Sequence, residues 1–257
     1  MQKLLADRLV LVTGAAHGIG QACATRARDW GARVILADKD LPAAQAAADA
    51  LDAHAVGFDV ADAEEVSQAV AQAEAAFGPI DGLINAAGVL QRVLPPETLS
   101  LREWDLVQRV DLRGSYVVAA EVGRRMAARR RGAIVLVASV AGMRSAPLHS
   151  YGPAKAGVIA TAQCLAAEWG SANVRVNAVS PGFTDTRALR RGVALGTLTA
   201  TRMAAATALG RLLDPQEVAD AALFLLSDLA GGITGINLPV DAGYLVATPW
   251  QAYETSD

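Results

Sequence analysis

Cysteine, histidine and aromatic residues are all scarce in this sequence, and no stretch of it is apolar for long. Its two cysteines, Cys23 and Cys164, are too few for a disulfide framework. Both fall in apolar helical patterns and read as buried thiols. The three histidines, His17, His54 and His149, show no metal-ligand spacing, so no metal site is expected. No uncharged apolar run approaches the roughly 18 residues of a membrane span. Asp7 and Arg8 interrupt the only candidate apolar core near the N-terminus, so no cleavable leader is expected. Charge of one sign is also lacking: 23 Lys and Arg oppose 26 Asp and Glu, a net charge of −3. That balance speaks against nucleic-acid and anionic-membrane partners. The one basic run, Arg124, Arg125 and Arg129 to Arg131, closes a helical pattern where positive charge suits the helix dipole, and reads as a solvated helix end. A cytoplasmic location is expected.

What is present is aliphatic. Hydrophobic residues make up 53% of the 257, with mean hydropathy +0.28, as a sheet buried on both faces requires. Strand-like runs occur at Leu9–Thr13, Arg33–Ala37, Ala55–Phe58, Ile80–Asn85, Ala133–Ala138, Val174–Val179 and Ile236–Val240. Ala-rich amphipathic stretches separate them. Ser100 with Glu103 and Asp62 with Glu65 have capping-box spacing. Asp214–Pro215 places a cap before a proline at the first helical position. Strands alternating with helices imply parallel pairing through right-handed crossovers. No linker, repeat or low-complexity block divides the chain. A (β/α)₈ barrel fits this alternation as well as an open doubly wound sheet does.

The turns distinguish the two. The first strand runs into Thr13-Gly14-Ala15-Ala16-His17-Gly18-Ile19-Gly20. Glycines there permit a tight turn, close approach to a pyrophosphate and tight packing of the next helix, whose N-terminus offers unpaired N–H groups. Asp38 closes the second strand, 18 positions after Gly20. An acid there suits the ribose hydroxyls of an adenine dinucleotide and repels a 2′-phosphate, which favours NAD over NADP; Lys39 weakens that preference. Tyr151 and Lys155 are four apart on a helical pattern and share a face. A nearby ammonium makes a tyrosine hydroxyl more acidic, and therefore able to exchange the proton that accompanies hydride transfer.

The spacing Gly-x-x-x-Gly-x-Gly at Gly14 to Gly20 resembles the short-chain dehydrogenase/reductase family. So do Asn85-Ala86-Ala87-Gly88, Tyr151-Gly152-Pro153-Ala154-Lys155 and Pro181-Gly182-Phe183-Thr184-Asp185-Thr186. The motifs follow in order over Leu4 to Leu245, and the barrel alternative falls. The resemblance implies an α/β, single-domain doubly wound Rossmann fold over residues 1–257. Its parallel sheet would have about seven strands, with helices on both faces and a substrate lid at about 185–210. It implies an NAD-linked oxidoreductase in which Tyr151 is the general acid–base, Lys155 its partner, and Ser139 holds the substrate oxygen. Two departures stand out. Ser139 precedes Tyr151 by 12 positions, one residue short of the family's usual spacing, and Asp111 stands where the family places an asparagine. Asp111 is expected to act catalytically through Lys155, or else to pair with Arg113.

By the same resemblance Gly14, His17, Gly18, Ile19 and Gly20 flank the phosphates, Asp38 holds the ribose, and Asp59 and Val60 contact the adenine. Asn85, Ala86, Gly88 and Val110 line the riboses, and Tyr151 and Lys155 also meet the cofactor. Pro181, Gly182, Thr184 and Thr186 hold the carboxamide. Arg144 and His149 are candidate substrate contacts with Ser139. Arg144, Arg187, Arg190 and Arg191 are anion-binding candidates, solvation being the alternative. The stretch Asn85 to Leu90 with Asp38 is similar to NAD-dependent dehydrogenases of cyclic diols, sugars and polyols. A 3-oxoacyl carrier-protein reductase and a non-catalytic NAD sensor are the other readings. The helices Ser100–Arg131 and Tyr151–Gly170 resemble those of the family's tetramer interfaces, so a homotetramer is expected. Near the C-terminus, Ala242 replaces a glycine of the family pattern and would be strained at positive φ. Trp250 and Tyr253 are candidate contacts to a neighbouring subunit.

Overall fold

A computed structural model describes residues 3–247 and Trp250. Seven strands form one parallel sheet in the order β3-β2-β1-β4-β5-β6-β7. They are β1 (Leu9–Thr13), β2 (Arg33–Asp38), β3 (His54–Gly57), β4 (Gly82–Asn85), β5 (Gly132–Val137), β6 (Val174–Pro181) and β7 (Asn237–Val240). The helices are α1 (Gly18–Asp29), α2 (Leu41–Asp49), α3 (Ala63–Phe77), α4 (Leu101–Val107), α5 (Ser115–Ala128) and α6 (Tyr151–Trp169). They continue with α7 (Arg187–Ala194), α8 (Ala200–Ala205), α9 (Pro215–Leu226) and the single turn α10 (Tyr244–Ala247). The strands were legible because both sheet faces are buried, so each is a short aliphatic run. Alternate side chains of β1 show the consequence. Val10 and Val12 pack with Cys23, Ala24 and Ala27 of α1 and Leu223 of α9, while Leu9 and Leu11 join the opposite core with Val66 of α3 and Val118 and Val122 of α5. Burying each such side chain contributes roughly 1.5–3 kcal/mol. The chain reverses direction between β1 and β4, and a crevice opens there at the carboxyl ends of the strands.

Several local expectations are refined. The long central helix is interrupted by a π-helical turn, Gln108–Gly114, between α4 and α5. Ser100 and Asp62 cap α4 and α3, yet neither box closes. Glu103 turns to the Arg92 N–H and guanidinium, and Glu65 accepts from the Asp59 N–H, so each is drawn to a loop. The complete capping box is Asp214 with Glu217, at the start of α9. The arginine run is not merely solvated. Arg125 and Arg129 pair with Glu74 of α3, and Arg129 and Arg130 donate to the carbonyls of Ile80 and Ser171. Of the two cysteines only Cys23 is buried, its thiol pushed up to about 12 by desolvation and then by the Asp220 charge; Cys164 is exposed. Cys164 lies beside Gln163 on a part of α6 that the core does not cover. Ala242 does adopt φ 51°. Trp250 is exposed, and Tyr253 lies outside the described residues.

Candidate active site

The glycine-rich turn lies at the open end of the switch point. Gly14 has φ 63°, and a Cβ on it would stand 2.8 Å from the Ala87 backbone. A Cβ on Gly20 would collide with the Gly14 carbonyl. The turn therefore packs against the Asn85–Gly88 segment, and α1 starts hard against β1. His17 precedes α1 in extended conformation and makes no side-chain cap, which leaves that helix start open. Asp38 closes β2, its Oδ2 accepting from the Ala16 N–H at 3.2 Å and its Oδ1 from the Asp40 N–H at 3.0 Å. Its carboxylate is thus anchored beside the turn. Thr186 reaches the same place: its Cγ2 lies 3.7 Å from where a Cβ on Gly18 would stand. Its Oγ1 also accepts from the Leu189 N–H, capping α7.

Asn85 is 1% exposed, and its Oδ1 accepts a hydrogen bond from the Thr13 hydroxyl at 2.5 Å, joining β4 to β1. Its Nδ2 has no partner among the described residues, an orphaned donor at the crevice. Across the crevice Val60 and Val110 are buried, and Asp59 closes a turn by accepting from the Ala61 N–H. Thr184 is buried, its hydroxyl donating to Gly182 O, and Gly182 itself donates to Val240 O. Open helix start, anchored carboxylate and orphaned amide together fit an adenine dinucleotide.

The catalytic candidates converge around α6. Ser139 stands two residues past the end of β5 and, with its Oγ accepting from the Ala141 N–H, caps a single 3₁₀ turn, Val140–Gly142. That turn packs on α6: a Cβ on Gly142 would stand 2.7 Å from the Ala156 nitrogen, and one on Gly152 would stand 3.1 Å from Ala141 O. The short loop therefore still carries Ser139 to the helix that begins with Tyr151. Lys155, one turn on, is 4% exposed, with Nζ 5.4 Å from the Tyr151 ring centre. Its ammonium donates to Val137 O at 3.0 Å and stands 3.2 Å from Asp111 Oδ2.

Asp111 is fully buried in the π-helical turn. Its Oδ1 accepts from the Val89 N–H at 2.8 Å, and Oδ2 meets Lys155 off-axis, as an ion pair rather than an aligned hydrogen bond. Arg113 instead donates to Ala61 O, so the alternative pairing with Asp111 does not occur. Burial alone would pull the Lys155 ammonium toward deprotonation. The Asp111 carboxylate and the Tyr151 oxygen outweigh it, and the net shift is upward.

On the substrate side, Arg144 and His149 are exposed at the rim on the loop before α6. Arg190 is bidentate to Asp185, at 2.8 Å on both oxygens, and holds that carboxyl below its ordinary range. The segment at about 185–210 carries two short helices, α7 and α8. Gln91 is a site residue that sequence reasoning missed: it is 2% exposed and accepts from the N–H groups of Ser150 and Tyr151. Nothing in its flanking sequence marks it, since its partners lie about sixty positions away.

A family model described as "Enoyl-(Acyl carrier protein) reductase" matches residues 14–245. The D-threitol dehydrogenase of Mycolicibacterium smegmatis is 41% identical over 255 residues, covering 94% of each chain. An NAD-dependent glycerol dehydrogenase of Listeria innocua is 36% identical, covering 94% of this chain and 95% of its own. Among solved structures, one titled ribose-5-phosphate isomerase from Brucella melitensis 16M superposes with a TM-score of 0.94 at 53% identity. It covers 96% of this chain and 95% of its own.

Proposed function

Since the chain belongs to the short-chain dehydrogenase/reductase family, whose dehydrogenases use nicotinamide cofactors, we propose that it moves a hydride between NAD(H) and a secondary alcohol or ketone. The substrate class is a sugar, polyol, cyclic diol or hydroxy acid, and the enzyme is a homotetramer. The observation that carries the reading is the buried Lys155 ammonium beside Tyr151, at the carboxyl edge of a sheet whose crevice fits a dinucleotide. The bound nicotinamide ring supplies the two-electron exchange. Tyr151 takes the substrate hydroxyl's proton in oxidation and returns it in reduction. Lys155 favours the deprotonated tyrosine, and Ser139 stabilises charge on the substrate oxygen. Asp111 holds Lys155 in place. Asp38 disfavours a 2′-phosphate, which supports NAD, as does the name of the Listeria relative.

The test is an NAD-linked absorbance screen over polyols, sugar acids, cyclic diols and hydroxy acids, with Tyr151→Phe beside the parent. Turnover is expected with NAD and at least about tenfold less with NADP. Tyr151→Phe should lose about 10²-fold or more in kcat while still binding NAD. Reduction of a 3-oxoacyl thioester with NADPH instead would favour the carrier-protein reading. Binding of NAD without turnover anywhere would favour a sensor. Conversion of ribose 5-phosphate to its ketose without nucleotide would align the chain with the name of the Brucella structure.

A further inference from the structure

Helix α6 begins at the residue that does the chemistry, yet its own cap fails. Ser150 occupies the N-cap position with φ −104° and ψ −43°, and its side chain makes no capping hydrogen bond. The hydroxyl is engaged elsewhere, donating to Trp104 O at 2.8 Å and accepting from Gln108 Nε2 at 3.1 Å. The same Gln108 nitrogen donates to Ser150 O at 2.8 Å. The first N–H groups of a helix have no partner within it, and leaving one buried and unpaired is costly. Here the acceptor comes from the loop at 90–96 after β4, a substrate loop by its place at the carboxyl end of the sheet, where folds of this kind select substrates. Gln91 Oε1 accepts from the Ser150 N–H at 2.6 Å and from the Tyr151 N–H at 3.2 Å.

We infer that Gln91 is a positioning residue for Tyr151, capping the catalytic helix from across the cleft and tying the substrate loop to the proton-transfer group. Two donors face the amide oxygen, so the amide has only one useful orientation. Its Nε2 gains nothing: it is buried without a partner among the described residues. A glutamine placed only to fill space would not carry that unmade bond. The carbonyl end therefore accounts for its presence. Because the loop and Tyr151 share this contact, a shift of either is transmitted to the other.

The inference rests on Tyr151 as the general acid–base, so Tyr151→Phe is run in parallel with Gln91→Met and Gln91→Glu. Methionine keeps the length and volume but accepts poorly; glutamate keeps the acceptor. Gln91→Met is expected to lower kcat about 10- to 100-fold with KM for NAD within twofold of the parent. Amide hydrogen exchange should rise over Leu148–Lys155 and not in α5. Gln91→Glu should restore slow exchange and most of kcat. Its added negative charge beside the proton-transfer site should move the pH–rate profile to higher pH. The inference is overturned if Gln91→Met keeps the parent's kcat while Tyr151→Phe is inactive. It is overturned equally if kcat and NAD affinity fall together and Gln91→Glu rescues neither. Should Tyr151→Phe remain active, the general acid–base reading fails, and the role of Gln91 with it.

Discussion

At the scale of single residues, Asp111 is the acid that stands where the family resemblance implies an asparagine. Spacing argues weakly against a pairing with Arg113, because residues two apart on a helix face different ways. Spacing says nothing of Lys155, which is 44 positions along and reaches Asp111 only through the packing of the π-helical turn on α6. The motif residues were legible because each belongs to a contiguous pattern, and the resemblance brought Asp111 to Lys155; Gln91 was not legible, because its contacts are products of tertiary packing alone. Asp111→Asn keeps the shape and an acceptor for the Val89 N–H but removes one negative charge. The Lys155 ammonium then loses a carboxylate that helps to offset its burial, which shifts it toward deprotonation. The pH profile of kcat should therefore move to lower pH, with kcat at neutral pH retained or raised. A loss above about tenfold, or roughly 1.4 kcal/mol, would give the carboxylate a duty of its own. Lys155→Met is the harsher change, since it leaves Asp111 buried and unpaired, which typically costs about 3–5 kcal/mol of stability.

At the scale of elements, the existence of every strand was readable and the ends were not. The β4 reading began two residues early, because Ile80 is as apolar as the strand that follows; β6 runs on to Pro181, where a proline would be expected to end it. The helix starts after Ser100, Asp62 and Asp214 were read correctly, but two of the reciprocal glutamate bonds do not form. A capping box needs its glutamate to turn back, and loop partners compete for that side chain. The box that does close holds the end of the lid segment to α9. Glu217 Oε2 accepts from the Asp214 N–H at 2.9 Å, and the side chain grips Arg211 at 2.7 and 2.8 Å. The Arg211 hydrogen bonds, then the Asp214 N–H, bring Glu217 down to about 2 from an ordinary 4.5. A carboxyl whose folded value is depressed stabilises the fold above its unfolded value and loses that contribution as pH falls through the folded one. The Tm of Glu217→Gln should therefore lie below the parent's at pH 7, and the gap should narrow between pH 4.5 and about 2. A gap that stays constant across this window would mean the glutamate acts by shape rather than charge. The side chain is 39% exposed, so solvent screening keeps the effect small.

At the scale of the whole molecule, the sheet order follows from parallel crossovers around one glycine-rich turn, while the outer surface obeys no such rule. Sequence patterning shows which helix positions are apolar, not which of them the sheet covers. In the folded chain Leu101 is 77% exposed, Tyr116 52%, Leu106 40% and Trp104 36%, all on the α4–α5 stretch. Large apolar side chains left exposed along one helical stretch offer a surface for association. The same stretch lies behind the catalytic centre, since Trp104 O and Gln108 hold Ser150, and the π-helical turn holds Asp111. Covering that face with other copies of the chain would therefore also brace the start of α6. We expect four chains of 26.6 kDa to sediment together at micromolar concentration. Tyr116→Asp, a change at an exposed position that leaves the sheet untouched, should split the assembly and lower kcat with it. A parent that sediments as a monomer, or a variant that dissociates with kcat intact, would separate catalysis from assembly and leave the exposed face without a part in the reaction.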